Sequence, residues 1–327
     1  MLKIFQRNMA LQMVLVAVAL LLLWLRPLAA PPELSAGEHP ALFYSLLCSW
    51  LSATPRLAVI LAMLLVLIEG ILLNLLLADV GLVSQNSLLP ALFFVVSISA
   101  GASTLTPAIL VWGVMIACLN QLVLRGTLLT IPSSKICGAT TLIGIASLCY
   151  QPAAALLLSY IFIAINYRLY NWKELAVMLL GFAAPYVAVV AVLFLTGGLA
   201  DWWQGLVAGW AAIGTHLGHF TLLQTLGTAL LFAVLLWGLF SENIHLSEHP
   251  VVWQRNASTL MLLTVGAIGM VFYSPLQPAT LQLFALPFAF CATRLFPINT
   301  TGVHRHIRHP WRYDLLLILI FIAALVC

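Results

Sequence analysis

Nine acidic side chains in 327 residues make each carboxylate worth asking what it could do. Glu38 stands beside His39, just before the apolar stretch 40–50, which predicts a short helix lying in the membrane interface. A carboxylate held at the mouth of a membrane cavity can deprotonate an acceptor or hold a metal and a phosphate. Glu33 lies earlier in the same segment and Asp201 opens the Asp-Trp-Trp of Asp201, Trp202 and Trp203. These three are the only acids on that side of the topology derived below. The bland alternative is that the glutamates solvate a loop and begin a helix.

Histidines offer weaker chemistry. His216 and His219 are three apart, a spacing that puts both on one helical face and lets them seat a metal with Asp201 as third ligand. No divalent metal is required by the sequence. His245-x-x-Glu248-His249 matches one zinc-peptidase pattern, but Pro250 follows at once and no second ligand motif stands behind it. Arg305 and Arg308, interleaved with His304, His306 and His309, attract a lipid headgroup or a phosphate, or simply fix topology. Glu69 is different in kind, because it sits in the apolar run VLIEGILLNLLLAD with Asn74 further along. A charge at such depth costs at least about 2.5 kcal/mol, so it needs a partner or a polar cavity. Asn120 and Gln121 are the candidate partners for an interhelical hydrogen bond.

The elements that must carry these groups are membrane helices. The chain is 63% hydrophobic and 7% charged with a formal charge of +4. That composition excludes soluble enzymes, and its scattered charges leave no nucleic-acid footprint. The six cysteines show no CxxC and no loop cluster, so no disulfide framework is expected. Apolar runs and their breakers predict an all-α, polytopic transmembrane bundle of about eleven spans, near 9–30, 56–78, 88–101, 105–124, 137–150, 152–167, 174–196, 221–240, 257–273, 278–293 and 313–327. The whole chain, 1–327, then forms one membrane domain. Its first segment is read as an uncleaved span, because the apolar run exceeds a signal-peptide core. With the amino terminus inside, only Arg26 and Arg56 of the 13 Lys and Arg fall outside. This strong positive-inside bias predicts an amino terminus inside and a carboxyl terminus outside. Outer loops then cover 26–56 and 197–221, and a basic cytoplasmic loop covers 293–312. Trp203 and Trp210 share a face of an expected amphipathic helix within the second outer loop.

Three stretches, 64–96, 137–158 and 169–203, resemble an uncharacterised family of polytopic inner-membrane proteins of Bacteroidota. Leu-Leu-Pro-Ala-Leu at 88–92, the Asn171-Trp172-Lys173-Glu174 entry to a span, and Gly181 with Pro185 carry that likeness. More distantly, the layout resembles the GT-C membrane glycosyltransferases. The shared features are a substantial outer loop after the first span, two short hairpins, and a Gly-Phe-x-x-Pro span running into Gly-Gly-x-x-Asp-Trp. This second resemblance implies a polyprenyl-phosphate-linked sugar as donor and an acid of the first outer loop, Glu38 or else Glu33, as base or metal ligand. His39, Asp201, Trp202, Trp203, Arg305 and Arg308 would line the substrate and lipid path. The chain departs from that superfamily in having isolated glutamates there, no acid at 100–107 and no large soluble carboxyl-terminal domain. Two other classes stay open. One is a non-catalytic membrane subunit of an envelope assembly with protein partners, and the other a flippase or transporter that uses Glu69.

Overall fold

A computed structural model describes residues 9–32, 34, 41–84, 87–101, 104–123, 131–167, 171–211, 221–272, 278–296 and 310–326. Those residues are 87% helical, with no strand among them. In chain order the helices are α1 (Met9–Ala29), α2 (Leu42–Leu51), α3 (Pro55–Asp79), α4 (Leu89–Ser99), α5 (Pro107–Leu122), α6 (Ser133–Cys149), α7 (Leu156–Asn166), α8 (Trp172–Thr196), α9 (Leu199–Ala211), α10 (Leu222–His245), α11 (Val251–Phe272), α12 (Ala285–Arg294) and α13 (Pro310–Val326). Short 3₁₀ turns over Gln151–Ala155, Leu246–Glu248 and Pro278–Phe284 lead into or out of them.

Local chemistry sets many of these boundaries. Proline opens α3, α4 and α5 at the first turn, where its missing N–H costs no helical bond. Thr221 and Gln224 cap α10 reciprocally: the Gln224 N–H donates to Thr221 Oγ1 at 3.3 Å and the Thr221 N–H donates to Gln224 Oε1 at 3.2 Å. At the far end of α8, Gly197 takes φ 78° and stops the helix, a conformation that a Cβ would oppose.

Five segments are long and apolar enough to cross a membrane: Met9–Ala29, Pro55–Asp79, Trp172–Thr196, Leu222–Glu248 and Val251–Phe272. The remaining apolar helices are shorter. The expected span at 278–293 begins as a 3₁₀ turn and is α-helical only from Ala285, and the one expected at 152–167 likewise starts with a 3₁₀ turn. Conversely, α11 begins at Val251 and α10 continues to His245, each beyond the expected limit. Polar residues such as Gln254, Arg255 and Asn256 lower the hydropathy of those turns without breaking the helix.

At the centre stand two short helices. All eleven residues of α4 are buried, and so are Ala285–Thr293 of α12. A helix apolar on every side belongs in a core. Phe93 meets Phe288 edge-on with centroids 6.4 Å apart and packs on Phe296 at 5.3 Å. Ser97 Oγ donates to the carbonyl of Ala285 at 3.4 Å. Around this pair lie α1, α3, α10, α11 and α13. On the periphery, Leu57, Ile60, Leu64, Ile68, Leu72 and Leu75 form an exposed apolar stripe down α3, as expected of a surface facing hydrocarbon.

Cross-links fix the directions of neighbouring helices. Gln12 Oε1 accepts from the Leu88 N–H at 2.7 Å, while Trp24 Nε1 donates to Ser99 Oγ at 2.8 Å, so α1 and α4 run parallel. Gly181 of α8 lies against Cys137 and Thr140 of α6, and Gly144 of α6 lies against Phe182 and Pro185 of α8, so these two also run parallel at close backbone range. In the same way Phe232, Gly238 and Glu242 of α10 meet Phe284, Cys291 and Arg294 in order, and α10 is parallel to α12. By contrast α7 and α11 are antiparallel: Tyr167 meets Thr259, and Leu156 meets Gly266.

The first of these links gives a direct test. Gln12→Leu removes the acceptor of a buried backbone N–H, and an unpaired buried donor costs about 1–3 kcal/mol. The unfolding midpoint of the purified protein in detergent is therefore expected to fall. An unchanged midpoint would mean that Leu88 has another acceptor.

Candidate functional site

Polar side chains gather at the two ends of the bundle and at one point between them. At the end where α4 stops and α5 begins, α2 is an apolar helix laid over its neighbours. The Tyr44 hydroxyl donates to the Leu105 carbonyl at 2.9 Å, and α2 packs on α6 and α3. This is the short helix expected after Glu38. From the next turn, Thr106 Oγ1 donates to Gln282 Oε1 at 2.7 Å, and the Trp112 indole N–H donates to the Gln282 carbonyl. Gln282 is buried, yet its Nε2 has no hydrogen-bond partner among the described residues, and neither does Thr104 Oγ1.

The amphipathic helix expected in the second outer loop is α9. Gln151 Nε2 holds it to the bundle by donating to the Leu206 carbonyl at 2.9 Å. Asp201 lies exposed in its first turn, where a carboxylate complements the positive helix end. Trp202 is half-buried and Trp203 exposed. Glu33, Glu38, His39, His216, His219, Arg305 and Arg308 lie outside the described residues, as does the Trp210 side chain. Among the described residues no group of three His, Cys, Asp or Glu side chains could hold a metal ion.

Beneath this end a small apolar cleft, of about 10 Å³, lies between α4, α10 and the 3₁₀ turn into α12. Its walls are Leu231, Phe232, Leu235, Leu281, Phe284 and Phe288, with Ser97 as their polar member. Such a surface accepts hydrocarbon rather than water.

Glu69 sits in the interior of α3, 4% exposed, and its Oε2 has no hydrogen-bond partner among the described residues. The expected bond from Asn120 or Gln121 is not made. The carboxyl lies instead over Gly113, about 10 Å short of Asn120 along α5 at 1.5 Å per residue. A Cβ at Gly113 would stand 2.5 Å from Glu69 Oε1, so glycine is what gives the carboxyl its room. Asn74, 1% exposed, likewise has neither amide atom paired among the described residues.

The opposite end holds a cluster that the sequence did not single out. Arg294 Nε donates to Glu242 Oε1 at 2.9 Å, and both side chains are 7% exposed. The guanidinium also lies 4.9 Å from the Trp253 ring centroid, and His249 stacks on the same indole with centroids 3.8 Å apart. Burial first, then the nearby Arg294 charge, pushes the His249 imidazole below its ordinary value, so it is neutral at physiological pH. His245 Nδ1 and Glu248 Oε1 are 3.2 Å apart on the exposed side. The His245-x-x-Glu248-His249 match therefore lies on a 3₁₀ turn with one aromatic stack, and its histidines do not converge on a metal among the described residues.

Comparison with family models, with curated proteins and with solved structures finds no match to the chain.

Proposed function

We propose that the chain is a multi-pass protein of the bacterial inner membrane that acts on a lipid-borne substrate at its outer end, with a GT-C-like layout. Eleven alternating traverses are consistent with the helix directions, and the amino terminus inside rests on the charge distribution. The parallel pairs α1 with α4, α6 with α8, and α10 with α12 each enclose one intervening traverse, as alternation requires. In this topology Arg26 and Arg56 are the outer basic residues, while Lys135, Lys173, Arg255, Arg294 and Arg312 lie inside.

One observation carries the functional reading. Two helices, α2 and α9, are tied by side-chain-to-carbonyl bonds onto turns of the same end, and an apolar cleft opens beneath that end. An isoprenoid or acyl chain laid along this apolar surface would present its polar head to the rim. In this reading Glu38, with Glu33 and His39 beside it, supplies the base or metal ligand, and Asp201, Trp202 and Trp203 bound the head on the α9 side. A sugar carried on a polyprenyl phosphate is the substrate class that the layout favours. Arg305 and Arg308 hold inner-leaflet headgroups.

Mass spectrometry of the lipids retained by the gently purified protein tests this directly. Native chain and Glu38→Gln are expected to carry polyprenyl phosphate in stoichiometric amount, with the sugar-charged form accumulating in the variant. Bulk phospholipid alone in both would overturn the reading and leave a non-catalytic membrane subunit, to be pursued through its protein partners.

A further inference from the structure

We propose that Glu69 is a proton-binding site that opens to the hydrocarbon through a notch at Gly113, in the seam between α3 and α5. This inference stands apart from the outer-end reading and uses none of its residues.

The seam is built from exposed or half-exposed apolar positions with one acid on its floor. On α3, Ile68 and Leu72 are exposed and Leu65 half-exposed. On α5, Gly113 is half-exposed and Ala117, one turn further, exposed. Between these rows the Glu69 carboxyl is directed at Gly113, with Oε1 where a side chain at that position would stand. Any larger residue at 113 would fill the notch. A polar group this deep normally finds a partner across the helix interface. Here Oε2 has none among the described residues, and both amide atoms of Asn74 on the same helix are also unpaired among them.

The surroundings bring no countercharge. Helix α4 contains no Asp, Glu, Lys, Arg or His, and neither does α5, whose Cys118 donates to the Ala139 carbonyl at 3.4 Å. The titratable groups of α2 are Tyr44 and Cys48, and Tyr44 donates to Leu105 at the outer end. Helix α1 carries only Arg26, in its last turn. On α3 itself Arg56 and Asp79 stand at the termini, roughly 20 Å and 15 Å along the axis from Glu69 at 1.5 Å per residue. An unpaired carboxylate in hydrocarbon is far costlier than the neutral acid, so the ligand that satisfies this site is a proton.

A hydrophobic carbodiimide reads this state, because the acid O–H adds across its C=N bond and the acyl group then shifts to nitrogen as a stable acylurea. Membranes containing the full chain are treated with dicyclohexylcarbodiimide over a pH series, and the Glu69 peptide is followed by mass spectrometry. Labelling of Glu69 is expected at acid and neutral pH, declining as pH rises, with a charged water-soluble carbodiimide giving none. Gly113→Leu is expected to bring the label down to the background of Glu69→Gln while the chain still elutes as a single folded species. The pH series needs no variant, so a misfolded Gly113→Leu leaves the test intact. An unlabelled Glu69 would overturn the proposal, as would label appearing only after detergent extraction, which would mean that a partner helix covers the seam. Protection by sodium at constant pH would overturn the proton as ligand in favour of a metal cation.

Discussion

Arg294→Met is expected to lower the free energy of unfolding by about 3–5 kcal/mol, the range measured when one member of a buried ion pair is removed. The cost comes chiefly from what is left behind. Glu242, now 7% exposed, would lose the guanidinium that donates to it at 2.9 Å, leaving a desolvated carboxylate near Cys291. The pair is also mechanical, since it joins the last turn of α12 to α10, and the same guanidinium rests on Trp253 of α11. Reversible denaturant unfolding in detergent, followed by tryptophan fluorescence, measures the loss. The double variant Glu242→Leu with Arg294→Met is expected to recover much of it, because neither charge is then stranded. A single variant within about 1 kcal/mol of native, the size of an exposed pair, would mean that water reaches this end.

Gly238→Val is expected to cost about 3 kcal/mol, the upper part of the usual overpacking range. A Cβ at this position would stand 2.7 Å from Cys291 Cβ, 2.8 Å from the Cys291 carbonyl oxygen and 2.9 Å from its carbon. None of these is the far end of a flexible side chain, so α10 and α12 must separate. That separation would also loosen the edge-on contact of Phe232 with Phe284, at 5.4 Å, one lining element of the apolar cleft. Gly205→Val in α9 is the control: no atom lies within 4 Å of its Cβ position, and only the small helix-propensity difference should appear. Equal midpoints for the two variants would mean that α10 and α12 are not in close backbone contact.

Both effects act through residues that the sequence left silent, and the reason is physical. Glu242 and Arg294 are 52 positions apart in the chain, and each alone reads as an ordinary charge at a helix end. Gly238 carries no local signal either, because close approach is a property of the neighbour. What periodicity and breakers could reveal, they did. Pro90, Pro107 and the Asn171-to-Glu174 box mark helix starts, and the apolar run after Glu38 became α2. The 3₁₀ start of the segment before α12 was invisible because Leu281, Leu283 and Phe284 continue the same apolar run. For the site, the depth of Glu69 was legible from its neighbours along the chain. Its environment was not: Asn120 and Gln121 suggested a partner, and only the fold reveals that Gly113 faces the carboxyl instead.

The burial of α4 on all sides has a consequence for how the chain is made. Ser97 reaches across to Ala285, 188 residues later in the chain. At ribosomal speeds of about 5–20 residues per second, α4 therefore waits roughly 10–40 s before α12 exists to cover it. During that interval this eleven-residue helix, bearing two serines, leans chiefly on α1 and α3. The insertion machinery must shelter a half-finished centre, and any chain terminated before α12 would present quality-control proteases with an exposed α4.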